Sequence, residues 1–154
     1  MEHDPFTLRV ALDEKGSARG ELYLDDGESF LYRSGQLIWR EFVAQRYEKK
    51  ALRLSSHDLV GQRPAQAVDG VDLAAYDPHN AFVRSLGEVR VEKVVVVGLG
   101  TKPKSVKLDN GDELDWRYAV GVSAKEKKQG VASVLTIKDP HVLVARDWAI
   151  VIQW

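Results

Sequence analysis

The sequence WAIVIQW occupies residues 148–154 and decides the fold class. Trp148, Ile150, Ile152 and Trp154 lie on one face of an extended chain, because side chains in a β-strand alternate between two faces. This alternation predicts a strand with one packed face. The run VVVV at residues 94–97 is apolar on both faces, which predicts a central strand that is covered on both sides.

Similar segments recur along the chain, rich in β-branched, aromatic and aliphatic residues. They are residues 6–12, 20–24, 37–47, 51–55, 89–99, 105–108, 131–137 and 148–154. Between many of them stand pairs that favour a reversal of the chain, which are Lys15-Gly16, Asp26-Gly27, Ser34-Gly35, Asn110-Gly111 and Gln129-Gly130. The spacing predicts an all-β fold, an antiparallel β-sandwich built from hairpins.

Helical signals are weak throughout the sequence. Residues 73–76 are the best candidate, but the segment is short and Pro78 ends it. We therefore predict no helix. Residues 57–87 interrupt the strand pattern with Gly61, Pro64, Gly70 and Pro78, and we interpret them as a long surface connection between the two sheets, with a functional loop as the alternative.

Composition excludes several functional classes. The chain has 154 residues, of which 44% are hydrophobic, so one domain with a core is expected. Lysine and arginine total 22 against 23 acidic residues, so no charged field favours nucleic acid or an acidic membrane. There is no cysteine, and no apolar run approaches the roughly 20 residues that span a bilayer.

Glycines at the end of the valine run resemble the start of a dinucleotide-binding turn. Gly98 and Gly100 have the spacing of its first two glycines, but Pro103 stands at the third position. Residues 102–108 also alternate like a strand, whereas the motif requires a helix there. A tight turn between two strands is the interpretation we adopt.

Carboxylates are concentrated in the sequence DDGE at residues 25–28. A glycosidase needs two carboxyl groups on either side of the scissile bond, and adjacent residues in a hairpin serve this poorly, since they point to opposite faces. The sequence favours a structural turn. A calcium site and a catalytic pair remain as alternatives.

Other residue types give weaker signals. His3, His57, His79 and His141 are too scattered for a short zinc motif, and residues 125–128 (KEKK) are typical of a solvated hairpin tip or a partner patch. Aromatic residues suggest either core packing, which we favour, or a sugar-stacking platform; they are Trp39, Trp116, Trp148, Trp154 and Tyr32. We assign no catalytic, cofactor-binding or metal-binding residue.

Several longer stretches resemble one enzyme family. DPFTLRVAL (4–12) and GELYLDDGESF (20–30) look like the junction between the two C-terminal β-domains of family 31 α-glucosidases. EKVVVVG (92–98), VLTIKDP (134–140) and VARDW (144–148) look like the end of glucosidase II α subunits. The resemblance covers nearly the whole chain except residues 57–87. It implies that residues 1–19 end the proximal β-domain and that residues 20–154 form the distal β-sandwich.

The resemblance implies a parent enzyme of the endoplasmic reticulum lumen. Such an enzyme removes α-1,3-linked glucose from N-glycans by a retaining mechanism, and it works with a non-catalytic β subunit. Its catalytic aspartates lie in an upstream (β/α)8 barrel, a fold that needs at least about 200 residues, so no catalytic role can be carried over to this chain. Residues 1–5 (MEHDP) have neither a basic start nor an apolar stretch, so a secretory signal is expected upstream.

Two functions follow as hypotheses. The first is a non-catalytic segment that supports the upstream barrel and contacts the β subunit; its first strand, residues 6–12, then pairs with the rest of the parent. The alternative is an independent carbohydrate-binding module. Exposed, coplanar aromatic rings favour the module, and burial of Trp39 and Trp148 favours the supporting segment.

Overall fold

The computed structural model describes residues 4–60, 73–121 and 131–154, which form two β-sheets packed face to face. Within these described residues there are nine strands: β1 (Phe6–Ala11), β2 (Ala18–Leu24), β3 (Ile38–Glu48), β4 (Ala51–Asp58), β5 (Arg90–Val97), β6 (Ser105–Leu108), β7 (Asp115–Ala119), β8 (Val134–Leu143) and β9 (Trp148–Gln153). One helix, α1 (Ala81–Leu86), and two 3-10 helices (Leu31–Ser34 and Leu73–Ala75) lie in the connections. The predicted β-sandwich is confirmed.

The smaller sheet has the strand order β1-β5-β8-β7. β5 pairs with β8 in the antiparallel direction, but β1 runs parallel to β5, with Leu8 opposite Val94. Val94 and Val96 are fully buried, whereas Val95 and Val97 are half-buried on the other face. The valine run is therefore a central strand, as predicted, although its outer face is only partly covered.

The larger sheet has the strand order β2-β3-β4-β9-β6, and every pairing in it is antiparallel. Within this sheet, β2, β3 and β4 pair in the order in which they follow one another along the chain. The chain then moves between the sheets, so that β9 returns beside β4, with Ile152 opposite Leu52. Trp148, Ile150 and Ile152 are buried on one face of β9, which confirms the predicted packed face.

The core lies between the two sheets and contains aliphatic side chains of both. Its fully buried members include Leu52 and Leu54 of β4, Ile150 of β9, and Leu135 and Ile137 of β8. Burial of each such side chain contributes about 1.5–3 kcal/mol relative to exposure. The alternating pattern of the strands thus accounts for the sandwich.

The prediction that the chain has no helix is wrong for residues 81–86. The side chain of Asn80 accepts a hydrogen bond from the backbone N–H of Val83 and so caps the N-terminus of α1. Phe82, Val83 and Leu86 are buried. A helix of six residues gains little from its own hydrogen bonds, so it depends on this packing, which a sequence pattern does not reveal.

A further strand, β7, was not predicted. Its sequence DWRYA alternates exposed and half-buried residues, and the charged Asp115 and Arg117 weaken the strand signal. The predicted domain boundary at residue 19 stays a prediction. No helix in the described residues is long and apolar enough to cross a membrane.

Candidate functional site

The acidic turn, residues 25–28, follows β2 and uses its carboxylates to hold the backbone. Asp26 Oδ1 accepts hydrogen bonds from the backbone N–H groups of Glu28 (3.2 Å) and Ser29 (3.0 Å), and its Oδ2 accepts one from the Ser29 hydroxyl (2.5 Å). Asp25 accepts the N–H of Gly27 at 2.8 Å and the hydroxyl of Tyr23 at 2.9 Å. These are the local bonds of an Asx turn.

The electrostatics of this turn do not suit acid catalysis. The hydroxyl and N–H of Ser29, followed by the N–H of Glu28, hold the pKa of the Asp26 carboxyl below its usual value. A general acid in a glycosidase needs the opposite shift, so that it stays protonated near neutral pH. Burial and the Asp25 carboxylate raise the pKa of Tyr23. The carboxylates of the acidic turn therefore act as hydrogen-bond acceptors that hold the backbone of their own loop.

An exposed tip follows the acidic turn. The 3-10 helix Leu31–Ser34 ends at Gly35, whose φ of 81° lies in the left-handed region. A Cβ at Gly35 would lie 2.8 Å from the Cα of Tyr76, so only glycine allows the second 3-10 helix to approach. At the tip, Phe30 is 71% exposed and Leu31 55% exposed, and the guanidinium of Arg33 lies 4.8 Å from the centre of the Phe30 ring.

The aromatic residues do not form a flat platform. The rings of Tyr23 and Trp39 are 6.0 Å apart and meet edge to face, at 83°. Trp148 is only 7% exposed and packs against Phe42, with ring centres 5.9 Å apart. Trp39, Trp116 and Trp154 are half-buried, and so is Tyr32. Stacking on a sugar needs open, coplanar faces, so this arrangement favours packing.

A buried arginine joins three segments of the larger sheet and its connections. Arg40 lies in β3 and is 3% exposed. Its Nη2 donates to the carboxylate of Asp147 at 2.6 Å, to the carbonyl of Arg146 at 2.8 Å and to the hydroxyl of Ser56 at 3.0 Å. Asp147 also accepts the backbone N–H of Asp58 at 3.1 Å. A buried charge needs such partners, and they fix the β8–β9 connection against β4.

The same network continues to the long connection. Asp58 Oδ2 accepts a hydrogen bond of 2.8 Å from the hydroxyl of Tyr76, and burial together with this carboxylate raises the pKa of that hydroxyl. Nη1 of Arg146 lies 3.1 Å from Nδ1 of His79. Residues 73–80 are thus bound to the strands that follow the acidic turn. The part of residues 57–87 that the structure describes is a packed connection.

An apolar groove lies between β1 and β2. It has a volume of about 470 Å³. Phe6, Leu8 and Val10 of β1 line one side, and Ala18 and Leu22 of β2 line the other. We call it the edge groove. Its volume is within the range of about 300–1,000 Å³ that small-molecule sites occupy, and apolar side chains form most of its walls, as in many such sites.

The remaining predicted candidates do not come together as a site. His57 lies beside Ser55, His79 beside Arg146 and His141 beside Asp139, each at a different place. Within residues 4–60, 73–121 and 131–154, no group of three histidine or acidic side chains could hold a metal ion. His3 and residues 125–130, with their lysines, lie outside the described residues.

The glycine pair after the valine run lies in the connection between β5 and β6, which passes from one sheet to the other. The N–H of Gly98 donates to the carbonyl of Ser133 at 3.0 Å, and the carbonyl of Leu99 accepts the hydroxyls of Ser133 and Tyr118. The chain then enters β6, whereas the dinucleotide-binding motif requires a helix directly after the glycines. The helix N-terminus that binds phosphate in the dinucleotide-binding motif does not follow Gly98 and Gly100.

Sequence reasoning missed both the buried arginine and the edge groove. The only signal for the former was a basic residue inside the apolar strand sequence IWREF at 38–42. For the groove no local signal exists, since it depends on which strands become the sheet edges. A pattern within one segment cannot show how the sheets are ordered.

Comparison with known proteins gives long matches. No protein-family model matches the chain. Human neutral α-glucosidase AB is 32% identical over 150 residues, which cover 97% of this chain and 13% of the human protein. The Dictyostelium discoideum protein of the same name is 29% identical and is covered to 12%, and a probable glucan 1,3-α-glucosidase of Arabidopsis thaliana is 30% identical and is covered to 14%. The chain thus spans about an eighth of these relatives.

Solved structures agree with the sequence matches. The Tris-bound glucosidase II α subunit has a TM-score of 0.71 and 29% identity, with 99% of this chain and 14% of that chain covered. The catalytic subunit in the heterodimeric complex of ER glucosidase II with the binding domain of its regulatory subunit has a TM-score of 0.68, again at 29% identity, with 99% of this chain and 15% of that chain covered. These matches confirm the resemblance to the C-terminal segment of such α subunits.

Proposed function

We propose that this chain, which is homologous over nearly its whole length to the C-terminal segment of glucosidase II α subunits of glycoside hydrolase family 31, is a non-catalytic β-sandwich that supports the catalytic barrel of an α-glucosidase. The main support for the proposal is that the chain matches only a small part of a much longer enzyme. The match uses 97% of this chain but only 13% of human neutral α-glucosidase AB. A (β/α)8 barrel needs at least about 200 residues and must lie elsewhere in such a protein.

The hydrogen bonds of the described polar residues are consistent with a structural role. The carboxylates of Asp25 and Asp26 hold backbone N–H groups of their own turn. The lowered pKa of Asp26 is the reverse of what a proton donor requires. The buried charge of Arg40 is used to join β3, β4 and the β8–β9 connection. Such bonds hold loops in a defined geometry, and loops held in this way can position neighbouring catalytic loops.

The parent enzyme in this proposal removes α-1,3-linked glucose from N-glycans in the lumen of the endoplasmic reticulum, by a retaining mechanism. The names of the relatives support this substrate, since plant relatives are probable glucan 1,3-α-glucosidases and one solved α subunit is bound to Glc1Man2. The compartment and the regulatory β subunit come from the solved heterodimer of ER glucosidase II. Both belong to the proposal for this chain.

An independent carbohydrate-binding module is the other function that the aromatic content suggested. The edge-to-face arrangement of Tyr23 and Trp39 and the burial of Trp148 speak against it. We therefore keep the module as an outcome of the test. A module would bind glucosylated mannose oligosaccharides without the rest of the enzyme.

The experiment replaces the 150 aligned residues of human neutral α-glucosidase AB with this chain and compares the chimera with the intact enzyme and with a version that lacks those residues. We expect the deletion to abolish soluble, active enzyme and the chimera to restore hydrolysis of a chromogenic α-glucoside. The isolated chain should show no turnover. Turnover by the isolated chain, or micromolar binding of the oligosaccharide in calorimetry, would overturn the proposal.

A further inference from the structure

Two consecutive strands form sheet edges on the same flank of the sandwich. β1 is the outermost strand of the smaller sheet, and β2 is the outermost strand of the larger one. Within the described residues, neither has a strand on its outer side. The edge groove lies between them, so the sandwich is open along this flank.

The edge groove reaches the core. Phe42 and Leu54 of the larger sheet and Val91 of the smaller one contribute to its lining. Phe6 and Leu8 of β1 and Leu22 of β2 are apolar but only half-buried there. Covering apolar side chains at the margin of a core stabilises the protein by about 25 cal/mol for each Å² of apolar surface removed from water. The flank is therefore an incomplete part of the hydrophobic core.

We propose that an additional β-strand, supplied by the remainder of the parent enzyme, pairs with the outer edge of β1 and places apolar side chains in the edge groove. This inference rests on the proposed function, since it needs a parent polypeptide. The occupant is defined chemically as an extended segment with apolar residues at alternate positions.

The backbone of β1 determines the kind of occupant. An edge strand carries N–H and C=O groups that point away from its sheet, and another extended backbone can pair with this row of groups. A small apolar molecule would fill the groove but leave those groups unpaired. β1 is also six residues long and regular after its first residue, so it offers a continuous row. A strand satisfies both the backbone and the groove.

The relatives are much longer than this chain, so the rest of the same polypeptide is available to supply the strand. Matching residues make up 13% of human neutral α-glucosidase AB and 15% of the catalytic subunit in the solved heterodimer. The remaining polypeptide is covalently joined to the matching segment, so pairing of one of its strands with β1 is an intramolecular step, for which short flexible connections give effective concentrations of about millimolar. A strand from the same polypeptide thus competes well against a separate partner.

Hydrogen–deuterium exchange tests the inference on the chimera described above. Amides of β1 should exchange at least about tenfold more slowly in the chimera than in the isolated chain, because pairing protects edge amides. Amides of β7, the opposite edge of the same sheet, serve as the internal control and should change little. The two proteins are compared at several concentrations.

A pair of variants tests the groove itself. Leu22 and Leu108 are both half-buried leucines in edge strands of the larger sheet, and Leu22 lines the edge groove. Leu22→Glu should remove the protection of β1 in the chimera, whereas Leu108→Glu should leave it. Circular dichroism of each isolated variant establishes that it folds, and Leu22→Ala replaces Leu22→Glu if the latter does not.

The outcomes separate the two proposals. An active chimera with unchanged exchange in β1 overturns the inference and leaves the proposed function intact. Protection of β1 that appears in the isolated chain only as concentration rises would identify a second copy as the occupant and overturn the inference as well. A deletion enzyme that the chain fails to restore contradicts the proposed function, and the inference fails with it.

Discussion

Nη2 of Arg40 lies 2.6 Å from Oδ1 of Asp147, and this contact joins β3 to the connection between β8 and β9 across 107 residues of sequence. The guanidinium is almost completely buried, whereas 63% of the Asp147 side chain is exposed. The buried Arg40 guanidinium therefore needs Asp147 as a partner, whereas water can solvate the Asp147 carboxylate. Loss of Asp147 leaves a buried charge with fewer partners.

Asp147→Ala should lower the free energy of unfolding by about 1–3 kcal/mol, the usual cost of a lost hydrogen bond to a buried charged group. Glu113→Ala is the matched control, since it breaks an exposed pair in which Lys107 Nζ lies 3.1 Å from Glu113 Oε1. That change should stay within about 0.5 kcal/mol. Urea unfolding followed by tryptophan fluorescence measures both. Equal effects of the two substitutions would contradict the role of Arg40.

Gly35→Ala should destabilise the chain more than Gly27→Ala. Both glycines have positive φ, 81° and 65°, so both substitutions incur the left-handed penalty of about 1–2 kcal/mol. A methyl group at Gly35 would in addition lie 2.8 Å from the backbone of Tyr76, while nothing lies within 4 Å of the corresponding position at Gly27. Thermal unfolding of the two variants gives the difference. A cost at Gly27 that equals the cost at Gly35 would show that the close approach is unimportant.

Particular residues show how far the sequence predicts this fold. The alternation in β9 and the valines of β5 predict two packed strands, because burial of one or both faces is a local property of the pattern. The parallel pairing of β1 with β5 was not predictable, since Leu8 and Val94 are far apart in sequence. α1 was missed because Phe82, Val83 and Leu86 gain their stability from the core. Asp25 and Asp26 were correctly predicted as turn residues.

Asp26→Asn should destabilise the chain at neutral pH, and the difference should disappear in acid. The folded state holds the pKa of Asp26 below its ordinary value of 3.8, so the unfolded state binds more protons as the pH falls. The stabilisation is therefore present above about pH 3.8 and is lost as the pH falls through the folded-state pKa. Urea midpoints of both proteins, measured from neutral pH downward, give the profile.

Ser29→Ala provides the companion test of this pH dependence. The Ser29 hydroxyl is the largest cause of the lowered pKa of Asp26, so its removal should raise that pKa toward the ordinary value. NMR titration of the Asp26 carboxyl in the unsubstituted chain and in the Ser29→Ala variant measures the change in pKa directly. An unchanged titration would show that the backbone N–H groups of Glu28 and Ser29 suffice.

Trp148→Phe should cost far less than Trp148→Ala. Nε1 of Trp148 is buried and, among the residues that the structure describes, has no hydrogen-bond partner. Replacement by phenylalanine removes this unsatisfied donor, a gain of about 1–3 kcal/mol that offsets the smaller ring volume, so the net change should be below about 1 kcal/mol. Alanine instead leaves a cavity beside Phe42 and should cost about 3–5 kcal/mol. Urea unfolding followed by circular dichroism compares the two. A large loss with phenylalanine would mean that the indole N–H has a partner in solution, such as a bound water molecule.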